Sequence, residues 1–314
     1  MILIVSHLAD EHANEVVEHL VRARANVLLF DTARFPREIK LMVEHQTDTQ
    51  PSLRATVNGL PHDLSTVSTV WWRRPCPFNL DHSLTQADDR NFAYGESQAA
   101  IMGLWSCLDA QWINNPEHDE IASRKLYQLK VAASIGLTIP KTLVTNDPTQ
   151  AAEFIDNQGD KGTIYKAFSG TEQAWRETRL LKSEERAHLM AVQFAPVIFQ
   201  EYIRADIDLR ITMIGDDVFP AEIHTGQTEY KVDFRMNILD ALVQAHTLPD
   251  DIVQKLRTLT KTLGLVYGAI DMRLRPDGEY VFLEINPSGQ WLFIEERTNQ
   301  PITKALVHCL QLHE

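Results

Sequence analysis

Cysteine is scarce in this 314-residue chain: Cys76, Cys107 and Cys309 are odd in number, far apart and without C-x-x-C spacing. That excludes a disulfide framework or a cysteine-built zinc site and suits a reducing cytosol. No stretch approaches the ~18 uninterrupted apolar residues of a membrane-spanning helix, so no membrane partner is expected. The opening Met-Ile-Leu-Ile-Val-Ser is short and carries no basic stretch. It reads as a first strand and not as a signal peptide. Basic residues are in deficit, with 30 Lys and Arg against 43 Asp and Glu, a net charge of −13. A nucleic-acid-binding surface should be basic, so nucleic acid is not an expected partner either. There is no G-x-x-x-x-G-K-[ST], which excludes a P-loop. The lack of G-x-G-x-x-G after the first strand argues against a dinucleotide oxidoreductase. G-x-S-x-G and H-E-x-x-H are missing as well.

What is present is a globular composition, 44% hydrophobic and 23% charged, long enough for two or three packed units. The start alternates an apolar run (2–5), a helical face (12–24) and a second apolar run (26–30). That predicts a parallel, doubly wound α/β unit. Strands are expected at 41–45, 53–58 and 69–72, and a long helix at 86–108. Further on, the pattern mixes differently. Helices are expected at 124–135, stopped by Gly136, and after Pro249, where Ile252, Leu256, Leu259 and Leu263 repeat at helical spacing. Strands at 208–214 and 218–224 form a hairpin around Gly215-Asp216.

The most informative segment is YGAIDMRLRPDGEYVFLEINP, residues 267–287. If Asp277-Gly278 is a two-residue turn, Pro276 faces Glu279 and Asp271 lies directly opposite Glu284. Asn286 then points to the same face, as do Tyr280 and Phe282. Opposed Cβ atoms lie ~4.5–5.5 Å apart, where like charges destabilise a sheet. A divalent cation reverses that penalty, and an all-oxygen set with room for phosphates suits Mg²⁺. An ordinary solvated acidic hairpin is the alternative, and an odd-length loop would undo the register.

Cations for phosphates are the next requirement. Lys166 sits in an apolar strand and needs an anionic partner, either a nucleotide phosphate or a structural carboxylate. Lys125 lies in the first turn of its helix, where a cation opposes the dipole. Arg235 and Asn237 are two apart and share a face if extended. Gln200, Glu201, Tyr202 and Ile203 end an apolar strand, whose exposed end offers backbone groups to an adenine edge. Asp208 follows within reach of a ribose. Arg73 and Arg74 follow a Trp pair and serve either an acidic substrate or merely the rim.

Taken together in this order, Lys166, Glu201-Tyr202, Asp208-Leu209-Arg210, Asp233-Phe234-Arg235-Met236-Asn237 and Asp271…Glu284-x-Asn286 resemble the ATP-grasp superfamily of carboxylate ligases. The N-terminal stretches, among them Trp71-Trp72-Arg73-Arg74-Pro75, resemble the MvdD/MvdC-type maturases of graspetides (microviridin-like peptides). RimK-like amino-acid ligases are the alternative, and a non-catalytic nucleotide-binding module is a third. The resemblance implies a pre-ATP-grasp domain over 1–110 and two α+β subdomains, 111–195 and 196–314, gripping ATP between them. It implies ATP and Mg²⁺ as cofactors. Lys125, Lys166, Arg235 and Asn237 would meet phosphates, and residues 200–203 the adenine. Asp208 would meet the ribose, and Asp271, Glu284 and Asn286 the metal. Residues 169–178 would form a lid. Arg210 and Arg235 would stabilise an acyl phosphate. The implied partner is a ribosomally synthesised precursor peptide, and a homodimer is expected.

Overall fold

The computed structural model describes residues 1–168, 178–224, 238 and 241–312. The N-terminal part runs β1 (Ile2–Ser6), α1 (Glu11–Arg22), β2 (Val27–Phe30), β3 (Lys40–Glu44), β4 (Ser52–Val57), β5 (Leu60–Asp63), β6 (Thr69–Arg74), α2 (Ala87–Ser106) and β7 (Gln111–Ile113). Strands β2-β1-β6-β7 form a parallel sheet. β1 is buried along its whole length, because alternate side chains enter different cores. Ile2 and Ile4 pack with Val16 and Leu20 of α1; Leu3 and Val5 pack with Ile101, Leu104 and Trp105 of α2. The two helices therefore cover opposite faces, as expected for a doubly wound unit. Asp10 starts α1 by accepting from the His12 N–H. An antiparallel meander, β3-β4-β5, adds Leu53, Ala55 and Val57 to the second core.

The chain continues as α3 (Pro116–Ala122), α4 (Lys125–Ser134), β8 (Thr142–Thr145), α5 (Pro148–Gln158), β9 (Thr163–Lys166), β10 (Arg179–Leu180) and β11 (Val197–Glu201). Strands β10-β9-β11-β8 form a small antiparallel sheet, and Phe199 packs with Ala151 and Ile155 of α5. Then follow β12 (Ile207–Ile214), β13 (Asp217–His224), β14 (Leu242–Ala245), α6 (Asp250–Thr262), β15 (Tyr267–Leu274), β16 (Tyr280–Asn286), α7 (Leu292–Thr298) and α8 (Ile302–Gln311). Their five strands form an antiparallel sheet in the order β14-β13-β12-β15-β16. The β12–β13 turn is Gly215-Asp216, with Ile214 paired to Asp217.

Alternation along this sheet separates two environments. Leu209, Ile211, Met213, Ile270 and Met272 pack with Val131 of α4 and Leu256 and Leu259 of α6. Each such buried side chain stabilises the fold by ~1.5–3 kcal/mol. The other face presents Ile214, Ala221, Ile223 and Tyr267, which share one core with Ile2, Ile4 and Trp71 of the N-terminal sheet and Trp291. The remainder of that face carries Asp208, Arg210, Asp271 and Arg273.

β7 pairs with β6, so the first sheet extends to Ile113. β11 lies between β9 and β8 and belongs to the small sheet, not to the unit after it. α3 and α4 pack on the large sheet, through Ala122, Val131 and Ala132. Chain order hides this, because the small sheet is inserted between α4 and the strands that α4 covers.

Candidate nucleotide site

Asp271 and Glu284 are direct partners across β15–β16, and Asn286 pairs with Ala269, as expected. The route to that register differs from the expected one. Arg275, not Pro276, faces Glu279: the Arg275 N–H donates to the Glu279 carbonyl (2.9 Å), and the Gly278 N–H to the Arg275 carbonyl (2.9 Å). The loop is the odd-length 276–278, with Gly278 at φ +88°. The tip is therefore out of step, with Met272 opposite Phe282 and Leu274 opposite Tyr280. The register shifts by one between Asp271 and Met272, with Leu283 as the extra residue, and this bulge restores the pairing at the acids. It also corrects the expected face: Tyr280 and Phe282 pack into the core under α4 and α6, opposite the carboxylates.

Each acid meets a cation. Arg210, the β12 partner of Asp271, donates from Nη1 to Asp271 Oδ1 (2.7 Å) and from Nη2 to the Gln290 carbonyl (3.2 Å). Lys125, the first residue of α4, pairs through Nζ with Glu284 Oε2. Gln128, one turn later, fixes that helix to β16. Its Nε2 donates to the Ile285 carbonyl (2.8 Å), and its Oε1 accepts from the Ile285 N–H (3.0 Å). This buried Gln lay outside the expected set; its signal was a polar residue on the apolar face of a helix. Asn286 Oδ1 accepts from the Ser288 N–H (2.9 Å). Two carboxylates and a carboxamide, all hard oxygen donors, converge where like charges face each other, so the donor set fits Mg²⁺.

Lys166 stands opposite Ile198 on β11; Ile164 and Gln200, also partners, share its face, away from α5. The hinge after β11 borders a cavity of about 430 Å³ lined by Lys161, Glu201, Tyr202, Ile203, Arg275 and Asp277, among others. Glu201 Oε1 lies 3.5 Å from Lys161 Nζ, and the Tyr202 N–H donates to the Gly162 carbonyl (3.1 Å). The Gln200 side chain is buried at 1% exposure and donates to Thr142 Oγ1 (2.9 Å), which leaves its backbone, not its amide, at the strand end. Asp208, 4% exposed, is held by Arg273 (Nε to Oδ1, 2.7 Å). Arg273 also donates to the Ile203 carbonyl (2.7 Å) and sits 5.6 Å over the Tyr202 ring. A charge on a core-flanking strand needs such a partner, and Arg273 two residues after Asp271 supplied the overlooked signal. Arg235, Asn237 and residues 169–177 of the expected lid lie outside the described residues.

Arg73 is no rim arginine. It is 1% exposed, lies 5.8 and 5.2 Å from the Trp71 and Trp291 ring centres, and pairs with Asp10 (3.3 Å). Burial is the largest influence on Asp10 and raises its pKa; Arg73, Ser6 and Arg74 outweigh it and hold the carboxyl below its usual range. His12, also overlooked, is 6% exposed and packs edge-on against Trp291 at 4.4 Å. Burial first, and Arg73 second, push its imidazole down to about 3. Arg74 is half-buried and donates to the Ser288 carbonyl (3.4 Å). An acidic substrate is thus not met by Arg73.

Residues 1–120 match the MvdD pre-ATP grasp domain, and residues 122–310 the RimK-like ATP-grasp domain. The macrocyclase MdnC from Microcystis aeruginosa MRC, solved with precursor peptide MdnA, superposes with a TM-score of 0.88 at 30% identity over 99% of each chain. A RiPP-associated ATP-grasp ligase from Chryseobacterium gregarium, solved with ADP and a leader and core peptide, gives 0.88 at 30% identity, over 98% of this chain and 96% of that one. The "Probable alpha-L-glutamate ligase 1" of Shewanella denitrificans is 25% identical over 220 residues, 68% of this chain and 71% of its own. The chain therefore belongs to the ATP-grasp ligases, with an MvdD-type pre-ATP-grasp domain ahead of a RimK-like ATP-grasp domain.

Proposed function

We propose that this ATP-dependent ligase closes ester or amide crosslinks within a ribosomally made precursor peptide. The observation that carries the reading is the opposed pair Asp271 and Glu284, flanked by Asn286 and backed by Arg210 and Lys125. Asp271, Glu284 and Asn286 would hold Mg²⁺, which when bound neutralises charge on the triphosphate. A Glu or Asp side chain of the peptide attacks the γ-phosphorus of ATP, releasing ADP and forming an acyl phosphate. A Ser or Thr hydroxyl, or a Lys amine, then attacks the acyl carbon, loses its proton and expels phosphate. Such catalysis is mainly positioning and charge neutralisation. Lys125 and Lys166 would meet phosphate oxygens, Arg210 would face the reacting phosphoryl group, and the backbone of 201–203 would meet the adenine; Arg235 and Asn237 keep the phosphate roles that the family resemblance implies. The half-buried Arg74 is the one of the N-terminal pair suited to attract an acidic core peptide. Water must be kept from the acyl phosphate, which hydrolyses.

The full-length likeness to peptide-bound ligases favours a peptide substrate. The curated relatives, named glutamate ligases, support a second reading in which a free amino acid is the acceptor. Incubation with a Ser/Thr- or Lys-containing acidic precursor peptide, free L-glutamate, ATP and Mg²⁺ separates them. The peptide reading expects products lighter by one water per ring, with ADP and phosphate released. Products heavier by an added amino acid support the second reading, and AMP with pyrophosphate overturns the acyl-phosphate route.

A further inference from the structure

Residues 287–290 follow the proposed metal ligand Asn286 directly, and every carbonyl in this run accepts from a side chain. Pro287 O accepts from Asn114 Nδ2 (3.3 Å) and Ser288 O from Arg74 (3.4 Å). Gly289 O accepts from both Arg73 Nη1 (2.7 Å) and the Tyr267 hydroxyl (2.9 Å), and Gln290 O accepts from Arg210 (3.2 Å). Three of these donors, Arg73, Arg74 and Asn114, come from the N-terminal sheet and its exit. The contact is reciprocal, since Ser288 Oγ donates to the Arg73 carbonyl (2.5 Å). Asn114 also accepts from the Val266 and Tyr267 N–H groups (2.8 and 2.9 Å), so it joins the start of β15 to the end of β16.

We infer that Arg73 is a positioning residue for the proposed metal site: through Gly289 it sets the backbone that presents Asn286. This rests on the nucleotide-and-metal reading above. The argument is geometric. The Gly289 N–H donates to the Asn286 carbonyl (3.2 Å) and the Ser288 N–H to Asn286 Oδ1, so a shift at 288–289 moves both the main chain and the amide of Asn286. Arg73 has little freedom to move. Its Nε is paired with Asp10, its guanidinium carbon lies 5.8 and 5.2 Å from the Trp71 and Trp291 ring centres, and Asp10 is itself held by Ser6 Oγ (2.8 Å) and by capping α1. A guanidinium spans Asp10 and Gly289 with two separate donors, which an ammonium on a flexible stem does not reproduce. The N-terminal domain thereby supplies the rigid backing of a ligand that belongs to the C-terminal sheet. Partners that orient metal ligands from behind change metal affinity by about 10–100-fold when removed.

The test uses Mn²⁺ as the probe. Titrate it into the full-length protein with ADP present and read bound Mn²⁺ by electron paramagnetic resonance, alongside steady-state kinetics in the peptide. Arg73→Lys should weaken Mn²⁺ binding at least 10-fold and leave the peptide KM within about twofold. Tyr267→Phe, which removes only the second donor to Gly289, should give a smaller change of the same kind. If Arg73→Lys does not fold, Tyr267→Phe decides alone. Unchanged Mn²⁺ affinity in the folded variants, or a raised peptide KM with Mn²⁺ affinity intact, overturns the inference. Failure of the wild-type protein to bind Mn²⁺ with ADP would instead overturn the metal reading itself.

Discussion

Glu284 stands directly opposite Asp271 because one residue of β16, Leu283, has no partner on β15. The odd-length loop at 276–278 sets the tip of the hairpin one step out, and the bulge takes that step back before the acids are reached. Two departures from the simplest hairpin cancel at the position where the chemistry sits.

Deleting Leu283 tests this directly. Without the extra residue the tip register runs on unbroken and still brings Glu284 opposite Asp271 on the same face, so Mn²⁺ binding with ADP should survive the deletion. Inserting an alanine after Leu283 instead adds a step, and a one-residue slip turns Glu284 into the core under α4 and α6. The insertion should abolish Mn²⁺ binding with ADP and ATP-dependent product formation. Retained binding in the insertion variant would show that the opposed pair is not the metal site.

Neutralising the two acids should abolish turnover alike but affect folding differently. Glu284→Gln and Asp271→Asn are each expected to lower turnover by about 10²-fold or more. Lys125 and Glu284 are about a quarter exposed, so losing their pairing should change stability by no more than about 1 kcal/mol. Arg210 is 9% exposed at its side chain, and Asp271→Asn strips the charge facing it. Breaking a buried pair costs about 3–5 kcal/mol. Denaturant unfolding of both variants measures the difference; equal stabilities would contradict the burial argument.

Gly289 leaves no room for a side chain. A Cβ there would lie 2.3 Å from Ala269 Cβ and 3.1 Å from Arg210 Nη2. Gly289→Ala should destabilise by about 1–3 kcal/mol through overpacking and weaken nucleotide-dependent metal binding. The double variant Gly289→Ala with Ala269→Gly relieves the shorter contact and should regain part of the stability. No regain would mean that the clash is not the cause.

Stability should respond to pH through Asp119. Burial pushes its carboxyl up to about 7, only partly offset by Asn114 and Arg73. The folded state thus keeps a proton that the unfolded chain releases near 3.8, so this contribution is full at low pH and is lost as pH rises toward 7. His12 acts in the opposite sense: held neutral down to about 3, it favours the fold increasingly as pH rises to 6.5. Asp119→Asn should remove the falling component. Relative to wild type, the variant should gain about 2–3 kcal/mol between pH 5 and pH 7.5, at ~1.4 kcal/mol per pKa unit. A pH-independent difference in unfolding free energy would show that this carboxyl is not held protonated.

Local patterns made much of the fold legible. The apolar run of β1, the four-three-four spacing of Ile252, Leu256, Leu259 and Leu263 along α6 with Gly264 after it, and Gly215-Asp216 between β12 and β13 all follow from periodicities that neighbouring residues set for themselves. The pairing of Asp271 with Glu284 was legible as well, though by an arithmetic that assumed a plain turn. The sequence leaves Arg73 to an acidic substrate or the rim and Asp208 to a ribose, because nothing near them in sequence shows that Asp10 and Arg273 lie against them. Gln200 likewise gave no local sign that Thr142 occupies its amide.

By itself the sequence determined which segments form strands and helices, and which acids and cations form the candidate site, because hydrogen-bond period and side-chain chemistry are local. Tertiary structure alone decided which charges are buried and paired, that a bulge corrects the hairpin, and that the N-terminal sheet grips residues 287–290. Those outcomes depend on desolvation and on contacts between residues up to 216 positions apart, which only the assembled layers create.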